Sequence, residues 1–455
     1  MLKDKKVILF AKKQPNVYLC TVEKKPFKAL ELNDDSRYAL NAIEQKGENF
    51  FITGKAGTGK STFLNLLRDA ARKEMVVLAP TGVAAINVKG QTIHSFFGFP
   101  PRLMTIRDIK PAYRKKRLLY QKMEILVIDE ISMVRADMLD NIDRFLRINR
   151  DDPTPFGGVQ VILVGDMFQL PPVVASAEEK YFMQTNYETP FFFSAKVFQD
   201  GFFLEYMEFR KVYRQENRLF LRLLDAVRNG RIDYDDLEDL NTRYLPKFET
   251  EAFYITLSAR NATVDRINQK HLDALETPVF NYFAKIEGKF EPRLFPTEQI
   301  LALKVGAQVM FLRNDPEKRF YNGTIGRILS LSFEKIVVEI KLEDSTVTID
   351  VPKTDWEIIK YKIDEKNPNK IENEVIGTFT QFPLRPAWAI TIHKSQGKTF
   401  DKTIIDMGRG AFAHGQLYVA LSRCRTLEGI VLKERITMRD VIVDDAVLDF
   451  YQQHF

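Results

Sequence analysis

Apolar positions along this 455-residue chain follow two rhythms. Through the first 165 residues they come as short unbroken runs: Asn49-Phe50-Phe51-Ile52-Thr53, Met75-Val76-Val77-Leu78-Ala79, Ile125-Leu126-Val127-Ile128 and Val159-Gln160-Val161-Ile162-Leu163-Val164. Runs of this length predict strands buried on both faces. Helical spacing follows them, as in Phe63 to Arg68 and from Val83-Ala84-Ala85, so strand and helix alternate around a parallel sheet. After Gly201 the alternation starts again: strand over Leu204 to Phe209, loop at Val212 to Gln215, helix from Asn217 to Arg228 stopped by Asn229-Gly230, strand over Ala252 to Leu257, helix over Asn261 to Leu275. From Val305 to Leu384 the rhythm becomes two-residue, in Gln308 to Leu312, Thr324 to Leu331, Lys335 to Ile340 and Thr346 to Ile349, with Asn322-Gly323 as a turn. That stretch reads as a small antiparallel β-barrel inserted in a second α/β lobe, which resumes at Trp388 to Ile392. Ahead of everything, residues 1–30 alternate around Val7 to Phe10 and Val17 to Leu19 and predict a hairpin, followed by a helix over Asp34 to Gln45 capped by Asn33 or Asp34.

Composition narrows the class without deciding it. Apolar content of 45% and charged content of 28% are those of a globular chain, and the length calls for two to four domains. A net charge of +6 permits a polyanionic partner, with basic residues concentrated over Lys3 to Lys28 and at Arg114-Lys115-Lys116-Arg117. Cys20 and Cys424 supply neither a disulfide framework nor a zinc site, which suits a reducing compartment. There is no secretory signal core and no apolar run of membrane-spanning length, so a cytoplasmic protein is expected. Phe191-Phe192-Phe193 is expected in the core.

The chemistry gathers at the carboxyl ends of the predicted strands. Gly54-Lys55-Ala56-Gly57-Thr58-Gly59-Lys60-Ser61-Thr62 lies between a strand and a helix and has the P-loop spacing. Its glycines let backbone N–H groups turn toward phosphate oxygens, and the helix N-terminus adds its positive end. Lys60 is placed to reach the β- and γ-phosphates of ATP, and the Ser61 hydroxyl to hold Mg²⁺. Asp129 and Glu130 cap a buried strand: Asp129 is suited to the Mg²⁺ shell, Glu130 to polarising a water for attack on the γ-phosphate. Gln169, in Gly165-Asp166-Met167-Phe168-Gln169-Leu170-Pro171-Pro172, either contacts the γ-phosphate or attacking water or belongs to a structural turn.

The ordered set resembles the superfamily 1 DNA helicases of the 5′→3′ branch, the Pif (Pif-one) type related to RecD. The P-loop is similar to that family's first motif. Ala79 to Ala85 and Gln91-Thr92-Ile93-His94-Ser95-Phe96 are similar to its DNA-contacting motifs. Ile131 to Asp140 resembles the Pif signature, Gly165 to Pro172 motif III, Tyr213-Arg214-Gln215 motif IV, Thr391 to Gly397 motif V, and Tyr418 to Arg423 motif VI. The matches run from residue 33 to 425.

The resemblance implies an ATP hydrolase with two RecA-like lobes closing on the nucleotide, Arg214 and Arg423 entering from the second lobe as arginine fingers. It implies single-stranded DNA contacts from Pro80, Thr81, Gly82, His94, Ser95 and Phe96 on lobe one, and from Thr391, His393, Lys394 and Ser395 on lobe two. Phe96 either stacks on a base or packs in the core. Neither histidine has the neighbours of a metal site. Residues 97–122 correspond to a strand-splitting wedge, expected as a rigid basic projection, and the inserted barrel to a Src-homology-3-like domain. The domain division is then 1–30, 31–203, 204–304, 305–385 and 386–455, a helicase core of bacterial style. Expected substrates are single-stranded DNA, single-strand/duplex junctions and forks, RNA–DNA hybrids and G-quadruplexes, in repair, recombination and telomere maintenance. The chain departs from the family upstream of the P-loop, where Ser36-Arg37 replaces the glutamine that reads adenine, which puts adenine selectivity in question. Rival expectations are a translocase that does not unwind and a nucleotide-switched strand-binding module.

Overall fold

The structure, a computed structural model, describes residues 34–215, 217–249, 252–315, 317, 319–341 and 346–455. The N-terminal hairpin expected over residues 1–30, and Asn33 as a cap, lie outside them. The first described helix, Asp34–Asn41, runs into a π-turn that ends at Gly47.

Six parallel strands form the first sheet, in the order Gln91–Thr92, Met75–Ala79, Ile125–Ile128, Gln160–Val164, Phe50–Gly54, Glu205–Phe209. The central strands are apolar on both sides because helices cover both faces, which is why they read as unbroken runs. The strand Glu205–Phe209 pairs with Phe50–Gly54, Phe50 opposite Glu205. It is therefore the edge of the first sheet, whereas its sequence position suggested the opening strand of the second lobe. Pairing partners leave no trace in a strand's own pattern, and the boundary at 203/204 falls inside the wrong unit.

A second parallel sheet runs Ala389–Thr391, Ile255–Ser258, Thr403–Asp406, Ile430–Leu432. Its last two strands are only four and three residues long, too short for a pattern to declare them. The final helix, Asp445–His454, crosses back to the first lobe. There Phe450 stacks on Phe193 at 4.4 Å and meets Phe51 at 6.2 Å, and His454 stacks on Tyr206 at 3.9 Å. Phe191 and Phe192 are buried.

Between the second lobe's first two strands lies an all-antiparallel insertion that begins at Val279, earlier than the expected 305. It contains a ribbon of Val279–Phe283 with Ile300–Lys304 and a five-stranded sheet in the order Thr346–Val351, Ile336–Lys341, Ile325–Leu331, Gln308–Phe311, Leu384–Pro386. A separate three-stranded sheet holds the two longest strands among the described residues, Thr354–Ile363 and Ile371–Gln381, with Lys285–Gly288 at its side. Single short strands closing into one barrel are thus not what the pairings give. The long hairpin docks on lobe one: Val77 N–H donates to the Tyr361 hydroxyl at 3.1 Å, and Ile371 N–H to Glu74 at 2.6 Å.

Residues 97–122 are anchored more than they project. Phe97, Phe99, Met104 and Ile109 are buried, and the helix Arg114–Lys122 is tied to Ala136–Arg150 by Arg117 Nε donating to Asn149 O at 3.0 Å. The apolar residues between the basic ones fix this segment to the sheet's helical layer. Gly98, Pro101, Arg102 and Thr105 to Arg107, then Lys110, Pro111, Tyr113 to Lys115, Leu118 and Gln121, stand exposed. No helix among the described residues is long and apolar enough to cross a membrane.

Candidate nucleotide and nucleic-acid site

Gly54, Gly57 and Gly59 all take positive φ, 152°, 84° and 87°, so the backbone between strand and helix curls as no L-residue readily would. A Cβ on Gly57 would lie 2.5 Å from the Arg214 Cβ. The helix Lys60–Ala70 is seated by Phe63, Leu64 and Leu67, all buried. Thr58 donates from Oγ1 to Lys55 O at 2.9 Å and braces the loop, while Ala56 N–H donates to the Tyr418 hydroxyl at 3.0 Å. Lys60 Nζ donates to the carbonyls of Gly54 and, at 3.2 Å, Lys55. Burial pushes its pKa down, against the pull of Asp166 and Glu130. Ser61 and Thr62 are exposed at the helix start.

Asp129 and Glu130 leave the end of Ile125–Ile128 beside this loop. Glu130 sits at φ 51°, a left-handed conformation that is uncommon for a non-glycine residue and that concentrates at functional sites. Burial, then the neighbouring Glu130 charge, raises Asp129 to about 7; burial also raises Glu130, opposed by Lys60 and Arg423. Gln396 Nε2 donates to both Glu130 Oε2 and Gln169 Oε1, each at 3.2 Å. Gln169 in turn donates to Asp166 Oδ2 at 3.3 Å.

Both arginines stand in this group. Tyr213 N–H donates to Gly57 O at 2.9 Å, which lays Arg214 along the loop, where its Nη1 reaches Ser422 O at 3.1 Å. Burial and the nearby Arg423 lower the Arg214 pKa to about 9. Arg214 lies in the loop between the first sheet's edge strand and the helix Arg218–Arg228, set between the P-loop Gly57 and the second lobe's Ser422. Arg423, 1% exposed, does come from the second lobe; its guanidinium donates to Val419 O at 3.0 Å and Ser422 Oγ at 2.8 Å.

Four residues that the sequence reading did not single out, three of them inside its motifs, complete the geometry. Asp166 Oδ1 is 3.2 Å from Arg228 Nη2, and Tyr418 Oη donates to Asp166 Oδ2 at 3.2 Å. Gln396 links the second lobe to Glu130. Asp166, Gln396 and Tyr418 sat inside recognised motifs; Arg228 lay outside all of them, as one arginine at the end of an amphipathic helix, with no sequence signal.

The proposed strand contacts divide. Thr81 caps Gly82–Asn87, accepting from Ala84 N–H at 3.2 Å, and Pro80 is half-buried beside it. A Cβ on Gly82 would lie 2.3 Å from Leu294 of the insertion, so that loop is pressed on this turn. His94 is half-buried, its pKa lowered by burial and by Arg293, and Ser95 is exposed, accepting from Gln91 Nε2 at 2.8 Å. Phe96 is 1% exposed and packs edge-on against Tyr120 and Tyr361, so it is core and the base-stacking expectation is corrected. On lobe two, His393 and Lys394 are exposed. Thr391 caps their short helix through Lys394 N–H at 3.3 Å, and Ser395 is fully buried and donates to Ile392 O at 2.7 Å. The buried Ser395 O–H is spent inside the fold, which corrects its assignment as a strand contact, whereas Thr391, like Thr81, accepts at its cap and keeps an O–H to donate.

The profile of the PIF1-like helicases matches residues 31–238. The chain is 33% identical over 440 residues to the ATP-dependent DNA helicase Pif1 of Bdellovibrio bacteriovorus, covering 94% of this chain and 93% of that protein. The chain belongs to the PIF1-like helicase family. Among solved structures of that family, Bacteroides sp Pif1 in complex with ADP-AlF4 superposes with a TM-score of 0.86 at 41% identity, covering 93% of this chain and 97% of the other. Bacteroides Pif1 bound to ssDNA, at 42% identity and with 93% and 96% covered, superposes with 0.63. At nearly the same identity, this chain superposes better on the ADP-AlF4 complex than on the ssDNA-bound structure.

Proposed function

We propose that this chain is an ATP-dependent DNA helicase that moves 5′→3′ along single-stranded DNA and separates strands at single-strand/duplex junctions. The observation that carries the reading is the meeting of Lys60, Glu130 and Gln169 from one lobe with Gln396 and Arg423 from the other. Lys60 would exchange its carbonyl partners for β- and γ-phosphate oxygens of ATP, with P-loop N–H groups from Gly57 to Thr62 around them. Ser61 and Asp129 offer two hard oxygens at the edge of that cradle, a donor set that fits Mg²⁺, and a cation there offsets the burial that raises Asp129. Mg²⁺ supplies neutralisation of phosphate charge. Glu130 would accept the proton of the attacking water, Gln169 and Gln396 would hold that water and the carboxylate in line, and Arg214 and Arg423 would meet the charge building on the γ-phosphoryl oxygens.

Because Arg423 and Gln396 belong to the second lobe, the state of the nucleotide biases how the lobes sit, and the exposed His393 and Lys394, three and two residues before Gln396, move with them. Thr81, His94, Ser95, Thr391, His393 and Lys394 are the groups assigned to the strand; hydroxyls and a lysine grip phosphates without reading bases. Polarity, and activity on forks, RNA–DNA hybrids and G-quadruplexes, rest on family membership. Strand separation with 5′-tailed and 3′-tailed duplexes in parallel tests the reading: opening of the 5′-tailed duplex alone is expected, and opening of the 3′-tailed one alone would reverse the direction.

A further inference from the structure

On either side of the motif at 391–397 lie two largely buried cations whose only carboxylate partner among the described residues is the exposed Glu298, 4.0 Å from Arg385. Lys398 is only 8% exposed, and the one partner of its ammonium among the described residues is the Asn322 Oδ1 amide oxygen, at 3.1 Å. Arg385, on the strand Leu384–Pro386, is near enough for its charge to disfavour the Lys398 ammonium. Its Nε is buried and has no hydrogen-bond partner among the described residues, one Nη reaches Pro296 O at 3.4 Å, and Glu298 is 4.0 Å away with its side chain 65% exposed. Buried charges are ordinarily paired, because desolvation is repaid only by an opposite charge. Here desolvation and Arg385 together lower the Lys398 pKa to about 8. The turn holding Asn322 is fixed: a Cβ on Gly323 would come 2.7 Å from Thr399 O, so the turn lies hard against the segment carrying Lys398.

A planar guanidinium with a free Nε and a nearby ammonium with N–H groups to spare is a donor set matched to a phosphate group. The site is also wired to the nucleotide. The Lys398 carbonyl accepts from Arg423 Nη1 at 3.5 Å, Phe400 N–H donates to Arg423 O at 2.9 Å, and Gln396, two residues earlier, contacts Glu130.

We propose that Lys398 and Arg385 form a subsite for a backbone phosphate of the bound single strand, whose occupancy is felt at Arg423 through the chain from Gln396 to Phe400. This deepens the helicase reading and rests on it. Lys398 and Arg385 trade the Asn322 amide and an unfilled Nε for phosphodiester oxygens, and two repelling cations gain a shared counter-charge.

Fluorescence anisotropy of a labelled oligothymidylate, followed over a range of salt, tests the pair. For single strands each phosphate contact contributes about 0.7 to the slope of log affinity against log salt. Lys398→Met and Arg385→Met should each flatten the slope by about that amount, and Lys398→Arg should restore it. Since Lys398→Met removes an unbalanced buried charge, its melting temperature should equal or exceed the wild type's. An unchanged slope in both methionine variants overturns the proposal, as does a melting temperature that falls. So does a Lys398-dependent thermal shift with inorganic phosphate while the oligonucleotide slope stays put, which would make this a free-anion site. The wild type's own binding and unwinding judge the helicase reading; only the difference between wild type and variants judges the pair.

Discussion

Tyr418 and Asp166, on opposite lobes, share one hydrogen bond of 3.2 Å, and the same tyrosine hydroxyl accepts the P-loop Ala56 N–H at 3.0 Å. Burial and the Asp166 charge keep the phenol neutral, so it can donate and accept at once. Removing that oxygen in Tyr418→Phe leaves a buried N–H and part of a buried carboxylate unsatisfied, a loss of about 1–3 kcal/mol. A lower denaturant midpoint and a reduced turnover number should appear together, with single-strand affinity little changed.

Arg228 is the other hand on Asp166. It is 1% exposed, lies 4.1 Å over the Phe168 ring and has Glu208 at 3.7 Å. Arg228→Met would strand a buried carboxylate at a penalty of about 3–5 kcal/mol. The double variant Arg228→Met/Asp166→Asn, which removes both charges, should recover a good part of that stability in urea melts. A double variant no more stable than the single would mean that packing, not charge, governs the site.

For turnover, Glu130→Gln keeps the shape and loses the base. DNA-stimulated ATPase should fall about 10²–10⁴-fold, the range for a general base, with nucleotide binding retained. Lys60→Ala should abolish turnover as well.

Arg214→Ala and Arg423→Ala should lower the turnover number about 10³-fold or more if both meet the γ-phosphoryl group. Single-turnover assays separate this from weakened nucleotide binding. An arginine whose loss raises only KM is a binding group instead.

His414 gives a pH signature. Its Nδ1 accepts from Asp444 N–H at 2.9 Å, so the proton is on Nε2, which donates to Met167 O at 2.9 Å. Burial lowers its pKa below the ordinary 6.5. The unfolded chain therefore takes up a proton there before the folded one does. Stability from this group is complete above 6.5 and is lost as pH falls from there through the folded value. The melting temperature of His414→Asn, whose amide oxygen keeps the Asp444 contact, should fall less steeply between about pH 6.5 and 5.

The parts of this molecule legible in its sequence are those where one residue type answers one local need. The P-loop glycines announce positive φ, and Ile125 to Glu130 announces a doubly buried strand with acids at its end. The assignment of Glu205–Phe209 to the first sheet was not legible, because alternation records burial and not the neighbour across the ladder. Nor was the docking hairpin of Thr354–Gln381, whose charged residues gave no sign that Tyr361 reaches Val77. Phe96 and Ser395 sit within motifs yet serve the core and a short helix, since a motif holds scaffold and contact residues alike. Arg228 had no local signal because its partners lie 62 and 20 residues upstream.

Phe51, on the strand next to the first sheet's edge, is sheltered partly by Phe450 and Phe455. During synthesis, that aromatic face therefore stays wet until the closing helix leaves the ribosome, several hundred residues later. The first lobe cannot mature as an independent unit on its own timetable; its completion awaits the tail, and a nascent chain interrupted before residue 445 carries a sticky, half-covered sheet that invites chaperones.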